Sequence, residues 1–256
     1  MLKPMISKLV EGRSLSESEM AEAVEHIMCG RGSEGQVGAF LAALRLKGET
    51  VDEVVGAATV MRRHATPLAR PIPGLLDTCG TGGDGACTFN VSTAAALVIA
   101  TCGVKVAKHG NRAVSSSCGS ADVLQALGVD IDADPDTVTR CIEDVGVGFL
   151  FAPNIHTAMR HVAPVRRDLA IRTVFNLLGP LTNPAGVEYQ IVGVSRPEHT
   201  TLLAEALRRL GSEHAMVVHG SDGLDEITIT GPTRVAEVLD DRVVEYEVEP
   251  RDAGLR

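Results

Sequence analysis

The 256-residue sequence has no tryptophan, two tyrosines and five phenylalanines. Proteins that stack nucleic-acid bases depend on exposed rings, so this scarcity argues against that role. The net charge of −9 points the same way. So acidic a chain does not coat DNA or anionic membranes with its whole body, and an anionic ligand needs a local basic site. Six cysteines occur, but no C-x-x-C pair and no ligand-like spacing to histidine. That argues against zinc and for reduced thiols in the cytoplasm. The N-terminal MLKPMISKLV lacks the layout of a secretory signal, and the longest apolar run, Ala94–Thr101, is far too short to span a bilayer. Acids are also missing locally. From Gly85 to Ala121 there is no Asp or Glu, where chance would place about five of the chain's 33. The same window holds Lys105, Lys108, His109 and Arg112. A buried helix and strand that exclude charge would account for Val91–Val104, but not for the bases that follow.

What is present sorts into two parts. With 45% hydrophobic residues the chain is globular and long enough for one large or two smaller domains. Residues 1–66 read as helices. Three capping boxes occur in series, Ser16-x-x-Glu19, Ser33-x-x-Gln36 and Thr50-x-x-Glu53, each followed by apolar residues at helical spacing. A shorter helix is expected near Ile6–Val10, and Gly30, Gly32 and Gly48 stand where helices should stop. This unit shows no catalytic constellation, and packing or dimerisation is its expected role. Pro67, Pro71 and Pro73 make residues 67–74 a connector. From 75 to 256 strands and helices alternate, which predicts an α/β layer with a mostly parallel sheet. The expected strands lie near Leu75–Asp77, Val104–Lys108, Gly148–Phe151, Gln190–Val194 and Ala215–His219. The expected helices lie near Ser92–Cys102, Ala121–Leu127, Pro135–Val145, Pro164–Leu178 and Pro197–Leu210. After Asp225 the pattern changes to antiparallel strands.

In an open α/β sheet, ligands bind beyond the carboxyl ends of the strands. Four unusual stretches fall there: DTCGTGGDG (77–85), KHGNRAVSSSCGS (108–120), FLFAPNIH (149–156) and HGSDGLDE (219–226). Gly80-x-Gly82-x-x-Gly85 fits a dinucleotide fingerprint, but the acid that should follow about 20 residues on is replaced by Lys108-His109. NAD therefore fits poorly, NADP remains conceivable, and a phosphate cradle for another ligand fits better. Asn90-Val-Ser92-Thr93 reads equally as a helix cap and as an anion site whose hydroxyl could coordinate a divalent cation. Lys108 can act as a point charge and Arg112 as a fork donor, with loop serines completing a cradle; for Arg112 alone a surface salt bridge is the commoner fate. Ser120 is placed to cap the next helix. Asp225-Glu226 are either solvated acids or a pair for Mg²⁺. Of Arg160, Arg166, Arg167 and Arg172, spacing cannot choose the one that faces the cleft, although Arg166 lies just inside its helix.

Taken in order, DTCGTGGDG, FNVST, KHGNRAVSSSCGSADVLQALG, FLFAP, VRRDLAIRTVFNLLGPLTNPA and HGSDGLDE resemble the anthranilate phosphoribosyltransferases of tryptophan biosynthesis. The resemblance implies a small helical domain (1–66) joined to a larger α/β domain (75–256), a homodimer built through the helical part, and transfer of phosphoribose from 5-phosphoribosyl diphosphate to the amino group of anthranilate with Mg²⁺. Carried over by motif, it places Gly80, Gly83, Asp84, Thr88, Asn90, Val91, Ser92 and Thr93 around the diphosphate. It wraps Lys108, His109, Gly110, Asn111, Arg112, Ala113, Val114, Ser115, Ser116 and Ser120 around the phosphoribosyl group. Gly80, Asn111 and Arg166 would meet anthranilate, Arg166 through its carboxylate, and Ser92, Asp225 and Glu226 would hold the metal. No single catalytic base is expected, because an aryl amine is already nucleophilic and positioning should dominate. The rivals are a pyrimidine nucleoside phosphorylase of the same architecture and a non-catalytic phosphoribosyl-binding relative. Members of the family normally continue past YEVEPRDAGL with elements that complete the large domain. The sequence given stops there, so exposed apolar surface is expected on that domain.

Overall fold

The computed structural model describes residues 2–86, 88–113 and 118–255. The chain opens with four helices, α1 (Leu2–Val10), α2 (Glu17–Met28), α3 (Glu34–Lys47) and α4 (Val51–His64). All three capping boxes form as the sequence requires. α1 starts earlier than Ile6 because Leu2, Met5 and Leu9 share one buried face. Glu53 is fully buried and anchors the unit. Its carboxylate accepts from the Leu15 N–H (2.8 Å), the Thr50 N–H (2.8 Å), the Thr50 hydroxyl (3.0 Å) and Lys47 Nζ (2.8 Å). Thr50→Ala removes both the helix cap and one of these donors. A loss of about 1–2 kcal/mol is expected, read as a lower denaturation midpoint with an unchanged m-value.

The connector is more than a spacer. Leu68 and Ile72 are buried against α7 (Pro135–Val145), and the Thr66 N–H donates to the Ile155 carbonyl (3.0 Å). Beyond it lies a seven-stranded sheet of β1 (Leu76–Asp77), β2 (Val106–Gly110), β3 (Val147–Phe151), β4 (Tyr189–Gly193), β5 (His214–Gly220), β6 (Thr233–Leu239) and β7 (Arg242–Val248). The spatial order is β3-β2-β1-β4-β5-β6-β7. The first five strands pair in parallel; β6 and β7 are antiparallel, joined through Asp240 and Asp241, both at positive φ as a tight hairpin demands. The remaining helices are α5 (Val91–Thr101), α6 (Ser120–Ala126), α8 (Ala152–Ile155), α9 (Ala163–Leu169) and α10 (Glu198–Arg209). Among the described residues no helix is long and apolar enough to cross a membrane.

Two expectations need correction. The predicted helix Pro164–Leu178 is broken: α9 ends at Leu169, Ala170 adopts a left-handed φ of 50°, and only short 3-10 turns follow at Val174–Asn176 and Gly179–Leu181. Beyond the break Arg172 donates to the Thr81 carbonyl (3.3 Å) in the loop after β1. The second correction concerns α5, whose apolar sequence suggested burial. Only Thr93 and Ala96 are buried, and Val98 is 62% exposed. Exposed Leu97 and Val104 add to this apolar surface.

The helical unit and the sheet share one core, in which Phe40, Leu44 and Met61 join the same cluster as Leu178, Val192, Leu203 and Val217. Polar ties reinforce the contact. Arg62 donates to the carbonyls of Leu181 (2.7 Å) and Leu210 (3.1 Å), and Arg209 pairs with Asp52 and Glu17.

Candidate active site

Strand order reverses at β1. The chain runs outward from it through β2 and β3, then returns to its other side as β4. The crevice at the carboxyl end of such a switch strand is where α/β sheets take ligands. Here β1 releases the glycine loop. A cleft of about 870 Å³ opens around it, lined by that loop, the start of α5, the end of β2, α9 and the Asp225-Glu226 turn.

The loop is held by close backbone approach. The Thr81 N–H donates to the Gly193 carbonyl (2.9 Å), and Gly82, Gly83 and Gly85 sit at φ of 62°, 86° and 71°. Gly193, at the end of β4, was not singled out by the sequence. A Cβ there would overlap the Asp225 carbonyl, and one on Gly80 would press to 3.0 Å on the Gly193 carbonyl. Gly193→Ala therefore displaces the acidic turn. A cost of about 1–3 kcal/mol is expected, with a weakened Mg²⁺ response in thermal melts; an unaltered response would show that the turn absorbs the methyl group.

Asn90 caps α5, its Oδ1 accepting from the Thr93 N–H (3.1 Å) and the Ser92 hydroxyl (3.3 Å). Thr93 itself is buried beneath the helix start, while Thr88, Asn90, Val91 and Ser92 line the cleft. Lys108 rises from β2, almost fully buried, and its Nζ donates to the Thr78 hydroxyl (3.2 Å), the Thr78 carbonyl (3.4 Å) and the Ser92 hydroxyl (3.2 Å). Beneath it lies Asp77, wholly buried, accepting from the His109 N–H (3.1 Å) and from Asn183 Nδ2 (2.8 Å). Burial pushes the Asp77 carboxyl up to about 6, against the pull of Lys108. Asp77 was quoted in the loop motif but given no role, since a strand-end acid does not reveal its buried partners.

His109 was counted among the bases. Burial pushes it down to about 3, and its Nδ1 lies 3.0 Å from the Gly179 carbonyl, so it brings no charge at neutral pH. The basic window thus narrows at the cleft to Lys108 and Arg112. Arg112 pairs with Asp122 (2.9 Å) and lies over the Phe151 ring. The same Asp122 takes the N–H groups of Ala113 (3.0 Å) and Gly119 (2.9 Å), clasping both ends of the serine loop. Gly119 is consequently the N-cap of α6, and Ser120, expected to cap, is the first helical residue, donating to the Asn111 carbonyl (3.3 Å). Gly110, Asn111 and Ala113 line the cleft. Val114, Ser115 and Ser116 lie outside the described residues.

Three carboxylates, Asp84, Asp225 and Glu226, line the same cleft as Lys108. Asp225 lies beside Asp84 and the Gly82 backbone, and Glu226 beside the start of α5 at Ser92. Burial, then the neighbouring acid, pushes Asp225 up to about 6 and Glu226 up to about 7. Hard oxygen donors held reluctantly ionised are a fitting set for a divalent cation such as Mg²⁺, which uses one or two carboxylates and leaves the rest to water and phosphate oxygens. Elsewhere, Glu25, Cys29 and His64 bring ligand atoms within 4.8 Å of one another, which linear spacing hid. That carboxylate is already paired with Arg63 (3.3 Å). Among the four arginines, Arg166, Arg167 and Arg172 line the cleft. Arg166 lies over the Phe175 ring, 5.8 Å from its centroid, and Arg172 donates to the Thr81 carbonyl (3.3 Å) while filling the space where a Gly83 side chain would stand.

A glycine loop, a helix N-terminus and buried carboxylates meet at a switch point beside a helical unit, and the class of protein this chain matches is the glycosyl transferases. Residues 73–256 match the family described as glycosyl transferase family, a/b domain, and residues 3–65 match its helical bundle domain. The anthranilate phosphoribosyltransferase of Moorella thermoacetica is 58% identical over all of this chain and 75% of its own length. The crystal structure of that enzyme from Thermus thermophilus superposes with a TM-score of 0.90 at 49% identity, over 98% of this chain and 74% of the other. The Saccharomyces cerevisiae enzyme in complex with PRPP and Mg gives a TM-score of 0.89 at 35% identity, over 100% of this chain and 74% of the other. The chain belongs to the anthranilate phosphoribosyltransferase family and spans about three quarters of the length of these relatives.

Proposed function

We propose that the chain transfers the phosphoribosyl group of 5-phosphoribosyl diphosphate to the amino group of anthranilate, releasing diphosphate, in tryptophan biosynthesis. The observation that carries this reading is the meeting, at one switch point, of the glycine loop, the α5 N-terminus, Lys108 and the Asp225-Glu226 pair. The names of the relatives support it, as does the yeast complex with PRPP and Mg.

The roles follow from the chemistry. Gly80, Gly83, Asp84, Thr88 and Asn90 to Ser92 surround the diphosphate, with the open backbone of the glycine loop and the α5 N-terminus favouring its charge. Lys108 adds a fixed positive charge. Asp225 and Glu226, with Ser92, would hold Mg²⁺, which supplies neutralisation of the departing diphosphate. The C1–O bond of ribose breaks as positive charge develops on the ring, and the anthranilate nitrogen attacks C1. Arg166, steadied on Phe175, meets the anthranilate carboxylate, and Asn111 faces the same substrate. The proton lost by nitrogen needs no strong base in this chain, since the product amine is only weakly basic. Excluding water matters more, because water would consume the donor. We assign residues 1–66 as the helical domain, 67–74 as connector and 75–256 as the transfer domain. The helical part serves homodimer formation, a role supported by exposed Val10 and Leu46, and the protein works in the cytoplasm. The test is turnover: consumption of anthranilate with stoichiometric diphosphate release, dependent on Mg²⁺ and on 5-phosphoribosyl diphosphate. Diphosphate release without anthranilate consumption would overturn the acceptor assignment.

A further inference from the structure

Behind the glycine loop, on the side of the helical unit, a second and much smaller pocket has no place in this chemistry. It lies where Arg45 and Glu49, at and after the end of α3, meet Arg172 and Thr173 after α9, and Arg196 and His199 around the start of α10. Thr173 and His199 are 2% and 8% exposed, yet neither the Thr173 hydroxyl nor His199 Nδ1 finds a hydrogen-bond partner among the described residues. Such orphans are rare in folded proteins and point to a missing partner. Arg172 makes no ion pair among the described residues; its one hydrogen bond there is to the neutral Thr81 carbonyl. Arg45 lies 3.9 Å from Glu49, and Arg196 turns to exposed Glu198 at 3.4 Å.

The electrostatics point one way. Burial, and then repulsion from Arg196 and Arg45, holds the Arg172 guanidinium below its ordinary value, although Asp225 pulls it up. Burial and the same arginines depress His199 despite Glu198, so its ring is neutral and Nδ1 is free to carry a proton. A guanidinium, a hydroxyl and a ring nitrogen thus offer donors, against one lining carboxylate, Glu49, which is buried and lies 3.9 Å from Arg45. The space is about 10 Å³, room for one water-sized sphere. A water would satisfy the two neutral groups but leave Arg45, Arg172 and Arg196 facing the single lining carboxylate of Glu49.

We propose that this pocket is a second anion site, taking a halide or a single oxygen of a small oxyanion between Arg172, Thr173 and His199. Its occupant sits behind the strut that joins the helical unit to the glycine loop, since the same Arg172 holds the Thr81 carbonyl and packs on Gly83. The site shares Arg172 with the lining of the main cleft but takes Thr173 and His199 from outside it, and it does not depend on the transferase reading.

Thermal melting of the whole chain at constant ionic strength tests it, with chloride or inorganic phosphate replacing a bulky organic sulfonate. A saturable rise of about 3–6 °C is expected at tenfold the dissociation constant. Arg196→Gln and Arg45→Gln should each abolish that rise while keeping the shift caused by 5-phosphoribosyl diphosphate with Mg²⁺, which reports the main cleft. If one variant fails to fold, the other decides. A saturable, variant-sensitive rise with phosphate but not chloride assigns the site to an oxyanion. An unsaturable response, or equal responses in wild type and variants, overturns the proposal and leaves an ordered water in the pocket.

Discussion

Lys108→Met is expected to lower the melting temperature by roughly 6–12 °C and to reduce turnover by about a thousandfold. Two effects combine. The lysine is the cation above Asp77, a carboxylate with no exposure to solvent. Removing the cation that pulls against this burial leaves the carboxylate uncompensated, at a cost of about 3 kcal/mol or more, and each kcal/mol moves the melting point of a protein this size by about 2–4 °C. The ammonium also joins Thr78 to Ser92, so the start of α5 loses its tie to β2 just where diphosphate charge must be received. The deficit should depend on pH with a definite sign. Asp77 is raised to about 6 already, so its stabilising contribution is full below about pH 4 and is lost as pH rises through 6. Without Lys108 the carboxyl rises further. The variant should therefore lie closest to wild type near pH 5 and fall behind by pH 8. Melting curves at both pH values check this. Adding Asp77→Asn should recover part of the loss, and strictly additive effects of the two substitutions would refute the pairing.

Arg166→Ala is expected to raise the KM for anthranilate by about a hundredfold or more, with little change in the melting shift caused by 5-phosphoribosyl diphosphate and Mg²⁺. Losing a desolvated charge partner typically costs about 2–5 kcal/mol. Arg166 is well placed for such a contact. Burial and nearby Arg172 hold its guanidinium below the ordinary value, Phe175 fixes its plane, and among the described residues no carboxylate neutralises it. An uncharged anthranilate analogue lacking the carboxylate should show little difference between wild type and variant. Equal losses of donor and acceptor binding would instead make Arg166 a prop of the cleft wall. Arg167 lines the same cleft and is the comparison to make, because the two residues are neighbours on α9 and only one stacks on the ring.

Much of this molecule was written in local sequence. Capping boxes at Ser16, Ser33 and Thr50 set three helix starts because each satisfies its own first-turn amides, a purely local effect. The alternation of strand and helix fixed the α/β class, and the glycine run marked the switch-point loop, since only glycine adopts those φ values freely. Order and spacing of the motifs were enough to indicate the family. Tertiary structure decided the rest, because charge and conformation there depend on distant neighbours. It made His109 neutral by burying it, and it committed Arg112 to Asp122, ten residues away. It broke the helix after Leu169, so that Arg172 turned back to the glycine loop. Asp77 met Asn183 and came under the charge of Lys108, and Gly193 met Asp225, only through the pairing of strands far apart in sequence. Local rules name the residue types that a phosphate site needs; which of them keep their charge, and which face the cleft, is settled by burial and by neighbours that no linear pattern contains.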